Sequence, residues 1–223
     1  MYFFGLKFQQ LIKLATSKYN LKVVGERFEF NQQIVRGWLR IITNLWGHLE
    51  NTMMKEIFFI RHAKSSWSNP RLADQDRPLN KRGFRDAPFM ATLLKNKGFR
   101  PDGIVSSQAR RAYTTATYFA ESIGLSTGAI TSYSEIYEAF PEDVYRIIRQ
   151  FPEDWQTVYL FGHNPGFTSI ANHFSEEYIP NVPTCGIIRV QLPIETWSAW
   201  QPEKGRMLDF WYPKQYFPKE DVT

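Results

Sequence analysis

Ile57-Phe58-Phe59-Ile60-Arg61-His62-Ala63-Lys64-Ser65-Ser66-Trp67 is the stretch on which the fold turns. Four apolar residues, two of them β-branched and two aromatic, read as a short buried strand. The strand stops at Arg61-His62, so a guanidinium and an imidazole stand together at its carboxyl end. In open α/β sheets that end is where ligands bind. Arginine offers a planar donor fork matched to phosphate, and a neutral histidine is a nucleophile, a base or a metal ligand. Alone, the dipeptide is also compatible with a polar strand end running into a solvated loop.

Downstream, strands and helices alternate. Asn80 is an N-cap for a helix over 81–97, with Phe84, Ala87, Met90, Ala91 and Leu94 on its apolar face, and Pro88 is expected to kink or divide it. Residues 102–107 form a second strand and 109–123 a helix. Residues 130–133 form a short third strand, and Pro141 opens a helix to Phe151. Residues 157–161 are a fourth strand, ending in Gly162-His163-Asn164-Pro165-Gly166, and a short helix follows over 167–174. Residues 186–192 and 206–211 are late strands, read as a hairpin at a sheet edge. The alternation predicts a three-layer α/β/α fold with a mainly parallel central sheet.

Three strands thus end in polar residues, at Arg61-His62, Ser106-Ser107 and Gly162-His163. In one parallel sheet these ends share an edge. Arg61, His62, His163 and either Arg110 or Arg111 then gather around helix N-termini. Cations repel one another unless an anion sits among them, so the arrangement points to phosphate or a similar dianion. His62 and His163 are zinc-ligand types, but arginines beside them disfavour a cation. With a single cysteine, Cys185, no HExxH and no glycine-rich nucleotide loop, no metal or other cofactor is expected.

The chain has 223 residues, 43% of them hydrophobic, and a net charge of +5. Residues 1–53 carry seven Lys/Arg against three Asp/Glu, leaving 20 against 19 for residues 54–223. The body is therefore nearly neutral, which argues against a nucleic-acid binder. One cysteine suits a reducing compartment, and neither a signal peptide nor an unbroken apolar run of about 18 residues is present, so a cytoplasmic location is expected. Residues 1–53 hold two weak amphipathic segments, the second over 34–49, that would suit a membrane surface or partner groove. Because Met53-Met54 directly precedes the first strand, 1–53 are read as an N-terminal extension, poorly ordered or an artefact of start-codon choice. Residues 54–213 are read as the domain and 214–223 as a tail.

Taken in order, these pieces resemble the histidine phosphatase superfamily, the phosphoglycerate-mutase-like enzymes, over roughly residues 54–213. The family's Arg-His-Gly reads Arg61-His62-Ala63 here, with Ser65 three positions after the histidine. Its Ser-x-x-x-Arg-Ala-x-x-Thr-Ala segment matches Ser107 to Ala116 and places the second phosphate-binding arginine on Arg111. Its acid, in Leu-x-Glu, fits Ile136-Tyr137-Glu138, with Glu135 as competitor, and Gly162-His163 fits its second histidine. The opening strand, Asp76-Arg77-Pro78-Leu79 and Gly-His-Asn-Pro-Gly are most similar to the SixA-type phosphohistidine phosphatase branch, with Ala63 in place of the usual glycine.

The resemblance implies that His62 is the nucleophile. Arg61, His62, Ser65, Arg111 and His163 bind the phosphoryl group, and Glu138 is the acid. Asp76 is expected to orient Arg77 or cap a turn. His48 and His173 are read as lying outside the constellation. The implied activity is metal-independent hydrolysis through a phosphohistidine intermediate. The substrate expected is protein phosphohistidine, because only 24 residues separate Glu138 from His163 and leave little chain for a lid. The alternatives are a general small-molecule phosphomonoesterase of the same superfamily and a phosphate- or phosphoprotein-binding module without turnover. A monomer is expected.

Overall fold

The computed structural model describes residues 54–217. The expectations for residues 1–53, including His48 and the amphipathic segments, and for 218–223 lie outside them. Six strands form one sheet: β1 (Lys55–Arg61), β2 (Gly103–Ser107), β3 (Ile130–Tyr133), β4 (Thr157–Gly162), β5 (Ile187–Leu192) and β6 (Arg206–Trp211). Their order is β3-β2-β4-β1-β5-β6. The first four run parallel, β5 is antiparallel to β1, and β6 is antiparallel to β5. The late hairpin therefore does close one edge. Arg61 stands opposite Gly162, and Ser106 opposite Phe161, so the polar ends of β1, β2 and β4 share one edge of the sheet.

The pleat explains the layers. Successive side chains on a strand point to opposite faces, and β1 is apolar at every central position, as a strand covered on both sides must be. Phe58 and Ile60 enter one core with Met90, Ala91 and Leu94 of α1 (Lys81–Asn96) and Ala116 and Phe119 of α2 (Arg110–Ser122). Ile57 and Phe59 enter the other with Val144 and Ile148 of α3 (Pro141–Ile148) and Phe167 and Ile170 of α4 (Gly166–Phe174). The result is the expected three-layer α/β/α arrangement. Between β3 and β4 the chain holds only a 3₁₀ turn and the eight residues of α3.

Three details of the helices differ from the sequence reading. Asn80 caps α1 as expected, its side chain accepting from Gly83 N at 2.9 Å, but Pro88 neither divides nor ends it. The carbonyl deprived of its intrahelical partner belongs to Phe84, which is about half exposed, so water can satisfy it. For the same reason Phe84 is not on the buried face, where Gly83 and Asp86 stand instead. The α3 helix also stops at Ile148, three residues earlier than expected, and a turn carries Phe151 into the core.

Candidate active site

Backbone and side-chain hydrogen bonds fix the start of the loop after β1. Within the loop after β1, His62 N donates to Gly162 O of β4 (3.0 Å), while Cys185 N reaches the carbonyls of both Arg61 and His62 (3.1 Å each). Ala63 N donates to Thr115 Oγ1 (3.0 Å), and that hydroxyl donates to Arg111 O (2.6 Å), so one threonine ties the loop to α2. Residues 61–63 are thus held from β4, from Cys185 and from α2.

His62 is buried, at 8% exposure. Its Nδ1 lies 2.7 Å from Ala63 O, a carbonyl, so Nδ1 carries the proton and Nε2 presents the lone pair. Arg111 Nε donates to that Nε2 at 3.3 Å. Burial first, and then His163, Arg111 and Arg61, hold the His62 pKa well below that of a free imidazole, while the Ala63 carbonyl works the other way. His163, also buried, stacks obliquely on His62 with ring centroids 5.0 Å apart and pairs through Nε2 with Ser107 Oγ at 2.9 Å. Burial and the two arginines push it down to about 3 against the opposing pull of Asp74, leaving it neutral too. Arg61 turns Nη1 onto Val182 O (2.6 Å) and Asn181 Oδ1 (3.4 Å). Its own pKa is lowered by burial and by Arg111.

Two arginines, two neutral imidazoles and the amino ends of α2 and α4 thus converge on one point of the sheet edge. Such a site takes an oxyanion and offers it a nitrogen nucleophile.

Comparison with known proteins bears on what the oxyanion is. Residues 57–161 match the model of the histidine phosphatase superfamily (branch 1). A protein from Agrobacterium tumefaciens assigned as the phosphohistidine phosphatase SixA superposes with a TM-score of 0.60 at 28% identity, over 71% of this chain and 98% of that one. The chain belongs to the histidine phosphatase superfamily. It is a phosphatase, a hydrolase of the SixA type. The protein histidine phosphatase SixA in complex with tungstate shares the fold, with a TM-score of 0.59 at 20% identity over 70% and 95% of the two chains. An uncharacterised chloroplastic protein of Arabidopsis thaliana is 28% identical over 168 residues, 72% of this chain and 77% of that one.

As a histidine phosphatase, the chain brings Arg61, His62, Arg111 and His163 together and leaves Arg110 exposed on the first turn of α2. Ser65 is buried nearby, its Oγ accepting from Arg77 Nη2 at 2.8 Å, which leaves the hydroxyl proton free to donate. Glu138 is exposed and sits in the left-handed region (φ 52°), uncommon for a residue with a β-carbon. Next to it, Tyr137 packs edge-on against His163 (5.5 Å between centroids). Glu135 is also exposed and accepts from its neighbour Ser134 at 2.9 Å. His173 lies in the last turn of α4 against Tyr145 and Phe174, at the other end of that helix from the site.

Two participants, Asp74 and Tyr137, escaped the sequence reading. The residue that orients Arg77 is Asp74, not Asp76: Arg77 Nη1 donates to Asp74 Oδ1 at 2.6 Å, while Asp76 is exposed. Asp74 Oδ2 accepts from Arg111 Nη2 and from Tyr137 Oη, each at 2.7 Å. Burial opposes charge on Asp74, but the bonds from Tyr137, Arg77 and Arg111 outweigh it and hold the carboxyl well below the usual carboxylate range. Arg77 itself is buried and stands over Trp67, its Cζ 3.2 Å from the ring centroid. The signal for the pair was the spacing Asp74-Gln75-Asp76-Arg77, with the carboxylate one turn before a guanidinium; for Tyr137 it was only adjacency to Glu138.

Proposed function

We propose that this phosphatase acts through a covalent phosphohistidine on His62 and that its substrate is phosphohistidine on a protein. The observation that carries the mechanism is the state of His62: a neutral imidazole whose Nδ1 proton is fixed on Ala63 O and whose Nε2 lone pair faces Arg111. In this reading Nε2 attacks phosphorus, the N–P bond to His62 forms, and the bond from phosphorus to the leaving atom breaks with its electron pair departing on that atom. Arg61, Arg111, His163 and Ser65 stabilise the charge that grows on the phosphoryl oxygens. Glu138 protonates a leaving alkoxide and then takes the proton of the attacking water, which releases inorganic phosphate and restores His62. Metal takes no part.

The substrate assignment rests on access. Between Glu138 and His163 there is little chain to cover the site, and Trp67 and Phe140, 72% and 69% exposed, stand on loops at the same sheet edge. Large exposed aromatic side chains suit contact with a macromolecule more than with a small ester. The enzyme is read as a cytoplasmic monomer; no helix among the described residues is long and apolar enough to cross a membrane. A second reading, hydrolysis of small phosphoesters, is favoured by Glu138. An alkoxide leaves poorly without a proton, whereas imidazole leaves readily, so a positioned carboxylate has more to do on an ester.

Hydrolysis by the full chain and by His62→Ala tests both. A histidine-phosphorylated protein and p-nitrophenyl phosphate are offered side by side with chelator present. Release is expected to fall at least about a thousand-fold in the variant. Faster turnover of the phosphoprotein supports the first substrate reading and faster turnover of the ester the second. Phosphate binding without release of either would make the pocket a binding module.

A further inference from the structure

Arg111 has more to do than attract an anion. An arginine side chain has many rotamers, and here its neighbours Arg61, His62 and His163 give it no negative partner among themselves. Its placement comes from Asp74. The Asp74 carbonyl accepts from Arg111 Nη1, and the Asp74 carboxylate accepts from Arg111 Nη2 at 2.7 Å. With both terminal nitrogens fixed, the remaining donor, Nε, lies 3.3 Å from His62 Nε2. Asp74 is itself fixed, by Arg77 through Oδ1 and by Tyr137 through Oδ2. Arg77 is anchored in turn to Ser66 O (2.9 Å), to Ser65 Oγ and on the Trp67 ring. The loop after β1, α2 and the loop after β3 therefore meet at one carboxylate.

We propose that Asp74 is a positioning residue for phosphoryl transfer, acting through Arg111 by aiming its Nε at the nucleophile and the phosphoryl group. Asp74 need touch no reacting atom. Its loss frees the Arg111 fork to turn toward solvent, and the pocket keeps the guanidinium but loses its orientation. A group misplaced by about 1 Å can cost a hundred-fold in rate, and residues that act through a shared partner show strongly non-additive effects.

The inference rests on the phosphatase reading, so the test separates the two. Wild type, Asp74→Ala, Arg111→Ala and the double variant are compared in kcat and KM toward p-nitrophenyl phosphate, and in Kd for inorganic phosphate by calorimetry. With Arg111 present, Asp74→Ala is expected to lower kcat by about 10- to 100-fold, with a smaller change in KM, and to weaken phosphate binding several-fold. With Arg111 absent, the same substitution is expected to change either quantity by less than about three-fold. An equal loss in both backgrounds makes Asp74 merely structural and overturns the inference. Tighter phosphate binding in both backgrounds makes it a simple repelling charge and also overturns it. If Asp74→Ala does not fold, Asp74→Asn, which keeps the volume and cannot accept from both Arg111 Nη2 and Tyr137 through a charged oxygen, takes its place in the cycle. If wild type releases nothing from the ester, the phosphatase reading fails on that substrate while the phosphate-binding cycle still decides the role of Asp74.

Discussion

At the scale of residues, the two site histidines make stability depend on pH in a definite direction. His62 and His163 stay neutral in the folded protein at pH values where a free imidazole takes up a proton. Below about pH 6.5 the unfolded chain therefore binds more protons than the folded one, and stability falls as pH drops toward the lowered folded values. His163, held near 3, is expected to remove about 1.4 kcal/mol per pH unit, so about 2 kcal/mol between pH 6.5 and 5, and His62 acts in the same direction. Denaturant unfolding at pH 7.5 and 5.0 checks this, and His163→Asn is expected to weaken the dependence; equal stability at the two pH values would contradict neutral, buried imidazoles. Arg111→Lys is a second test at this scale. Lysine keeps the charge but has neither the Nε donor nor the fork, so kcat/KM is expected to fall by at least about a hundred-fold. Arg61, His62 and His163 could be read from the sequence because each sits at a strand end that a short apolar run announces, whereas only the family resemblance separates Arg111 from Arg110 at the helix start. The part Asp74 plays could not be read: its spacing to Arg77 marks a local pair, but one 3₁₀ turn has no period that points to the site, and its other partners, Arg111 and Tyr137, lie 37 and 63 residues away.

Among the elements, the junction of α4 with the loop after β3 carries the most consequence for chemistry. A β-carbon on Gly166, the first residue of α4, would lie 2.3 Å from the carbonyl oxygen of Ala139. Backbone cannot give way there without moving the neighbouring Glu138, already in a left-handed conformation. Gly166→Ala is expected to cost about 1–3 kcal/mol by crowding. It is also expected to slow p-nitrophenyl phosphate hydrolysis more than phosphohistidine hydrolysis, since only the ester depends strongly on a placed acid. Steady-state rates on the two substrates decide this, and equal slowing would remove Glu138 from the acid role. Helix α1 shows the limit of reading elements from pattern. The run of apolar spacings located it, but Phe84 fits the apolar stripe and nonetheless faces water, while buried Asp86 is paired by Arg85 at 2.7 Å. Which of two adjacent stripes is buried depends on the sheet beneath, and a helix alone does not contain that information.

For the molecule as a whole, parallel strands on one side of β1 and antiparallel strands on the other decide what can reach the site. Because β5 runs backwards, its first residues lie at the carboxyl edge and bring Asn181, Val182 and Cys185 to Arg61 and His62. The sequence reading placed this hairpin at the edge but gave it no part in the site, since a contact between residues 61 and 182 leaves no mark on either segment. Two guanidinium groups line the pocket so assembled, which disfavours a divalent ion, and millimolar EDTA is expected to leave the rate unchanged; recovery of a lost rate by added metal would overturn the proposed metal-free mechanism. One further consequence concerns how the enzyme fails. Strand β1 lies between β4 and β5, and Ile57 to Ile60 are fully buried. Amides in such a strand exchange with solvent only when the whole fold opens, because no local fluctuation frees both neighbours and both faces. His62, the proposed nucleophile, directly follows this strand, so heat or denaturant is expected to extinguish turnover and tertiary structure together, with no inactive but folded state between them.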